Sequence, residues 1–269
     1  YKRQVQGLGV DALGVNCSLG PKELMPIVEE ISKWTTVPIV VKANAGLPDP
    51  VTNTYNVLPD EFADTCKEMV KYGAKVLGGC CGTTPAYVAK LKEMVATVNA
   101  SVVKKKPRQL AVCTPLKTVV VDQPRIVGER INPTGKKRFK QALRDNDMNY
   151  ILSQAIEQID AGADILDVNV GSPDIDEKEM MVRVIKALQA IVDVPLQIDS
   201  TKPEVLEAAL RVYNGKPIVN SVNGEEEVLD TILPIVAKYG GAVIGLALDE
   251  NGIPPTAEGR VEIAKRIRD

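Results

Sequence analysis

The strongest constraint on the fold is an alternation. Short apolar runs and helix-length amphipathic runs follow one another along most of the 269-residue chain. In the first part, strands are predicted over Val10 to Cys17, Pro38 to Ala43 and from Lys75 to Leu77. Helices are predicted over Lys22 to Trp34, Pro59 to Tyr72 and Pro85 to Val98. Pro21 suits a first helical turn, and Gly73 suits a helix end. In the second part, strands are predicted over Arg125 to Gly128, Asp164 to Val168, Pro195 to Ile198, Pro217 to Val219 and Ala242 to Ala247. Helices lie between them, among them Asn149 to Ala161 and Lys178 to Ile191. Pro203 marks a further helix start. Repeated strand–helix units with short apolar strands imply parallel sheets covered by helices.

Polar residues fall at the ends of these strands: Asn16 and Cys17, Asn44, Cys80 and Cys81, Glu129 and Arg130, Asp167, Asp199, Asn220 and Asp249. A (β/α)8 barrel builds its active site at those ends. An open doubly wound sheet would use the same ends. The number of strands contributing polar termini favours barrels. Between the two parts, Asn99 to Pro124 holds Lys104, Lys105 and Lys106, three prolines and little helical periodicity. It reads as a linker with one short strand at Thr118 to Val121. About three units precede it and about five follow, and neither set reaches the eight of a closed barrel. The expected fold class is therefore α/β: two adjacent (β/α)8 TIM-type barrels, each only partly present. Residues 1–98 form the C-terminal part of the first, 99–123 the linker, and 124–269 the N-terminal part of the second. A piece of a longer protein is the simplest account.

Composition narrows the function. The formal charge is -2, and the three-lysine cluster reads as solvated linker, so no nucleic-acid surface is expected. No apolar run is long enough to span a bilayer, and no secretory pattern opens the chain. Five cysteines, two of them adjacent, argue against a secreted disulfide framework and for a reducing cytoplasm. There is no histidine, which removes the commonest general base and nitrogen ligand. Any metal must rest on thiolates and carboxylates.

Gly78-Gly79-Cys80-Cys81-Gly82 follows a strand, and Cys17 ends another. Adjacent strand residues point to opposite faces, so Cys80 and Cys81 can share an ion only where the backbone turns sharply. The flanking glycines permit such a turn through positive φ. Three thiolates leave a tetrahedral zinc one open position, as catalytic sites do. The anionic centre suits activation of a fourth, substrate thiol. The competing reading is three small buried core residues. Cys66, inside a predicted helix, reads as core, and Cys113, in the linker, has no assigned role.

Three motifs carry a resemblance: Gly14-Val15-Asn16-Cys17-Ser18, Lys42-Ala43-Asn44-Ala45-Gly46-Leu47-Pro48 and Gly78 through Pro85. Over roughly 8–98 they resemble the homocysteine-binding domain of the cobalamin-dependent methionine synthase family. The same domain type occurs in betaine–homocysteine methyltransferase. The resemblance implies that Cys17, Cys80 and Cys81 bind zinc.

From about 124 onward, Gly128-Glu129-Arg130-Ile131-Asn132, Asp167-Val168-Asn169, Gln197-Ile198-Asp199-Ser200 and Val219-Asn220-Ser221 place carboxylates and amides at strand ends. A carboxylate can accept two parallel N–H bonds from an amide-rich heterocycle, and Asn can donate and accept at the same edge. Singly, each could be an ordinary mouth group, with Asp199 and Ser200 a helix cap. These motifs resemble the pterin-binding domain of cobalamin-dependent methionine synthases, methyltetrahydrofolate–corrinoid methyltransferases and, more distantly, dihydropteroate synthase. By that resemblance Asp199 and Asn220 hold the pterin, and Asn132, Asp167 and Asn169 line the site. Glu129 and Arg130 are either further site residues or an internal ion pair. The order of the halves points to the cobalamin-dependent methionine synthase plan. It implies methyl transfer from 5-methyltetrahydrofolate, through cobalamin held by a domain absent from this chain, to zinc-bound homocysteine. A related thiol S-methyltransferase, a corrinoid-protein methyltransferase and a non-catalytic piece remain alternatives.

Overall fold

A computed structural model of the chain describes residues 5–6, 10–98 and 110–269. The lysine cluster at 104–106 lies outside the described residues. The first unit runs β1 (Leu13–Asn16), α1 (Pro21–Trp34), β2 (Ile39–Ala43), α2 (Pro59–Val70), β3 (Ala74–Gly79) and α3 (Pro85–Thr97). Its three strands are parallel, in the order β1-β2-β3. Pro21, Pro59 and Pro85 each open a helix, where the missing N–H costs nothing. Val28 and Ile31 of α1, Phe62 and Met69 of α2 and Leu91 of α3 pack with Ile39, Val41 and Ala43 of β2. Burial of those alternate β2 residues against helices leaves Val40 and Lys42 on the opposite face.

The second unit runs β6 (Val127–Ile131), α4 (Lys137–Arg144), α5 (Met148–Asp160), β7 (Ile165–Val168), α6 (Glu177–Ile191), β8 (Leu196–Asp199), α7 (Pro203–Val212), β9 (Ile218–Val222), α8 (Glu226–Tyr239), β10 (Ala242–Gly245) and α9 (Ala257–Arg268). All its strand pairs are parallel, and the five lie in strict chain order, β6-β7-β8-β9-β10. A doubly wound sheet reverses its strand order at a switch point. Neither sheet here does, which decides between the two architectures left open by the strand-end pattern and leaves partial barrels of three and five strands. One face carries the main core, with Leu166, Val168, Ile198 and Val219 packed on Ile151, Met181, Ile185 and Leu206.

The segment between the units contains more order than one short strand. β4 (Ala111–Cys113) and β5 (Thr118–Val120) form an antiparallel hairpin. Val112 and Val119 pack on Ile165 and Ile218, the first residues of β7 and β9. The hairpin thus closes the N-terminal end of the second sheet. Cys113 is buried there, and its carbonyl accepts from Tyr213 Oη at 3.1 Å and from Lys216 N at 2.8 Å.

Two sequence expectations need correction. The first strand of the second unit runs to Ile131, so Glu129 and Arg130 lie inside it rather than after it. Helix α4 is an addition, missed because Lys137–Arg144 is short and strongly polar. Among the described residues, no helix is long and apolar enough to cross a membrane.

Candidate functional sites: a thiolate cluster and a polar sheet mouth

The parallel register assembles the thiolate cluster. Asn16 lies opposite Lys42, and Ala43 opposite Gly79, so the residues that follow β1 and β3 emerge side by side around the end of β2. Backbone bonds fix them there: Cys17 N donates to Lys42 O at 2.8 Å, and Cys80 N to Ala43 O at 2.7 Å. Cys81 N donates to Asn44 Oδ1 at 3.1 Å. The three sulfurs lie within 4.8 Å of one another, with Cys17 and Cys81 Sγ 3.5 Å apart.

The sharp turns lie where they are needed, but not at every glycine. Cys17 and Ser18 adopt positive φ, 66° and 69°, and Gly82 adopts 77°. A Cβ on Gly82 would sit 2.3 Å from the Tyr55 ring, so both conformation and space require glycine. Gly79 does not use positive φ. It serves close approach, since a Cβ would meet the Thr83 side chain at 2.3 Å. Cys17 and Cys80 are half-buried and Cys81 is exposed. The Ser18 backbone, then Cys81 and Cys80, hold the Cys17 thiol below its ordinary value, whereas Cys17 and Cys80 push Cys81 up. Tetrahedral zinc–thiolate bonds of about 2.3 Å place sulfurs about 3.8 Å apart. The cluster matches that spacing with small movements, and its all-sulfur donor set suits zinc. Cys66 is core as expected: it is 1% exposed, and burial pushes its thiol up to about 12.

In the second unit, the open sheet face changes character along its length. Its lower end is apolar, where the hairpin packs. Above it lie Asp167, Gln197, Asn220, Asp199 and Asn169. Asp167 lies opposite Gln197, and Asp199 opposite Asn220. Gln197 Nε2 donates to Asp167 Oδ1 at 2.6 Å, and Asn220 Nδ2 reaches the same oxygen at 3.4 Å. Asn169 Nδ2 donates to Asp199 Oδ2 at 3.0 Å. Asn132 stands apart from this network, turned to its own loop, where Oδ1 accepts from Thr134 N at 2.8 Å. Burial pushes Asp167 up to about 6, helped by the charges of Asp199 and Glu129 and opposed by its amide donors. Burial also raises Asp199, with Glu129 and Glu177 adding to it and Asn169 opposing it.

The comparisons follow this division. Residues 128–266, more than half of the chain, match the family model described as "Pterin binding enzyme". The chain belongs to the pterin binding enzyme family. Residues 2–95 match a second family model, "Homocysteine S-methyltransferase". The methionine synthase of Mycobacterium tuberculosis (strain ATCC 25618 / H37Rv) is 33% identical over 273 residues, which cover 98% of this chain and 23% of that protein. The methionine synthase of Mycobacterium leprae (strain TN) is 33% identical over 278 residues, with the same coverage. The chain thus spans about a quarter of the length of these relatives. Among solved structures, a dihydropteroate synthase from Vibrio fischeri ES114 aligns with a TM-score of 0.41 at 18% identity, over 59% of this chain and 60% of that one.

Within this pterin binding enzyme, several readings of single residues change. Glu129 does not pair with Arg130; its carboxylate takes Lys136 Nζ at 3.1 Å, at the point where β6 bulges and its register to β7 shifts. Asp199 does not cap a helix. Position Lys202 precedes α7, which has no side-chain cap, and Asp199 is instead held by Asn169. Sequence reasoning named Asn44 only as one of the polar strand ends and Gln197 only inside a quoted motif, and gave neither a role of its own. It also missed Glu177, which lies outside the quoted motifs and reaches the mouth from the first turn of α6.

Proposed function

We propose that this chain supplies two substrate-holding parts of a methyltransferase of methionine synthesis, a cobalamin-dependent methionine synthase. Cys17, Cys80 and Cys81 would hold zinc. Zinc supplies Lewis-acid activation of a fourth thiol, which stays nucleophilic when its proton is lost. The thiol is that of homocysteine. The methyl donor is 5-methyltetrahydrofolate, and cobalamin, held outside this chain, is the carrier between the two. The observation that carries the reading is the convergence of three cysteine sulfurs at one sheet mouth, in a chain whose second sheet has its own mouth lined by carboxylates and amides.

This chain's own residues would act as follows. Asn44 accepts from the Cys81 amide and so fixes the turn that presents the last two sulfurs. The family match supports a pterin at the second mouth, with Asp199 and Asn220 accepting and donating along its amide edge and Asn132, Asp167 and Asn169 lining it. Asp167, already engaged by two amides, orients Asn220. We retain 1–98 and 124–269 as the two functional units, with 99–123 joining them.

Metal analysis tests the first half. Near-stoichiometric zinc in the purified chain, lost in Cys80→Ala, supports it; well-folded zinc-free protein rejects it. Calorimetric titrations with homocysteine and with 5-methyltetrahydrofolate then test each mouth separately.

A further inference from the structure

Glu177 occupies a place that none of the motifs explains. It opens α6 on the loop after β7, yet its side chain is only 10% exposed. Its two oxygens are divided. Oε1 accepts from Ser200 Oγ at 2.6 Å, and Oε2 pairs with Lys202 Nζ at 2.9 Å. Ser200 is buried, and its hydroxyl also accepts from Lys202 N at 3.2 Å. Ser200 immediately follows Asp199, which accepts from Asn169. Asn169 in turn accepts from Gly171 N at 2.9 Å, at the start of the loop that leads back to Glu177. The result is a closed ring through two strand-to-helix loops: Asp199, Asn169, Gly171, Glu177 and Ser200. A surface carboxylate with one lysine would contribute little. A buried carboxylate placed beside Asp199 needs both the hydroxyl and the ammonium to be tolerated.

We propose that Glu177 is a positioning residue for the second mouth: clamped by Ser200 and neutralised by Lys202, it holds Asn169 and Asp199 in the geometry that presents the Asp199 carboxylate to a ligand. The inference rests on the pterin reading only for the identity of that ligand. The groups facing Asp199 are Glu129 from β6, Asp167 and Asn169 from β7 and its exit, Asn220 from β9, and Glu177 from α6, with Lys202 behind Glu177. Changing Glu177 and Lys202 separately therefore moves the field at Asp199 in opposite senses.

The test is carboxyl-carbon NMR titration of Asp199 in the wild-type chain, Glu177→Gln and Lys202→Met. The Asp199 midpoint falls by about half a unit in Glu177→Gln, which removes a negative charge but keeps an acceptor for Ser200. It rises by a similar amount in Lys202→Met, which leaves Glu177 unneutralised. A packing role alone would not produce opposite shifts. Amide exchange adds an independent reading: Gly171 N–H loses protection at least roughly tenfold in Glu177→Ala while β8 keeps its own. Unmoved midpoints with unchanged Gly171 exchange overturn the proposal. Binding of 5-methyltetrahydrofolate is measured on the same three proteins. If wild-type protein fails to bind while the midpoints still separate, the folate reading fails and the positioning ring stands. If wild-type protein binds and neither variant weakens binding, the ring has no part in recognition.

Discussion

The two mouths sit at the same ends of similar parallel sheets, yet they are held together in opposite ways. Around Cys17, Cys80 and Cys81 the backbone does the positioning, through Lys42 O, Ala43 O and left-handed residues at Cys17, Ser18 and Gly82. The sulfurs lie against one another, with Asn44 reaching Cys17 and Tyr55 reaching Cys81 as their side-chain neighbours outside the cluster. In the second unit the side chains hold each other, through Gln197 to Asp167, Asn169 to Asp199 and Ser200 to Glu177. A soft-donor cluster can leave the final ordering to the ion it binds. A site for a hydrogen-bonding ring must be built beforehand, because each buried polar group without a partner costs about 1–3 kcal/mol.

The largest effect expected from this contrast is at a sulfur. Cys80→Ala should cut zinc affinity by at least about a hundredfold, read by competition with a chelating dye, since a ligand is lost outright. Folate binding at the second mouth should stay unchanged. Coupled loss at both mouths would break the division drawn here.

Gly82→Ala should come next. It forces alanine into φ 77° and against the Tyr55 ring. A destabilisation of about 1–3 kcal/mol is expected, confined to the first unit. Trp34 is the chain's one tryptophan and lies in that unit, so its fluorescence in urea reports the change directly.

Asp167 gives the corresponding test of the second mouth, with a pH sign. Its folded value of about 6 lies above the ordinary 3.8, so folding favours the protonated form. Its contribution to stability is fully present below about pH 4 and is lost as pH rises through about 6. Asp167→Asn should therefore stabilise the second unit at pH 8 by about 1–2 kcal/mol, after allowance for solvent screening, and hardly at all at pH 4. Urea midpoints at the two pH values decide it, and a gain at pH 4 equal to that at pH 8 would reject the burial argument.

The smallest effect belongs to Lys136→Ala. Its partner Glu129 is largely exposed, so the pair should contribute below about 1 kcal/mol and fade in salt. A larger, salt-independent loss in thermal unfolding would mean that Lys136 supports the mouth through its bond to Glu129 O.

Much of this was legible because the signals are local. Pro21, Pro59, Pro85 and Pro203 open helices where the chain said they would, and the ends of α2 and α5 are followed by Gly73 and Gly162 at positive φ. Gly-Gly-Cys-Cys-Gly, followed by Thr83, announced a tight turn after a strand. The reach of β6 to Ile131 was not legible, since Gly128-Glu129-Arg130 is polar and the strand lies at the sheet edge. Neither was the docking of the hairpin, which depends on Ile165 and Ile218 far along the chain.

By itself, the sequence determined which residues could bind metal or hydrogen-bond a ring, and that strand–helix units would carry them. Local propensity, apolar periodicity and the lack of histidine suffice for that. The tertiary structure alone decided which of them meet. Strand order kept in chain sequence brings Cys17 beside Cys80, and register sets Asp167 against Gln197 rather than beside Asp199. It also brings Glu177 back to Ser200 across an intervening helix and strand. Such pairings are fixed by the register of parallel strands and the path of the loops between them. Both are settled by packing over the whole unit, not by the residues adjacent in the chain.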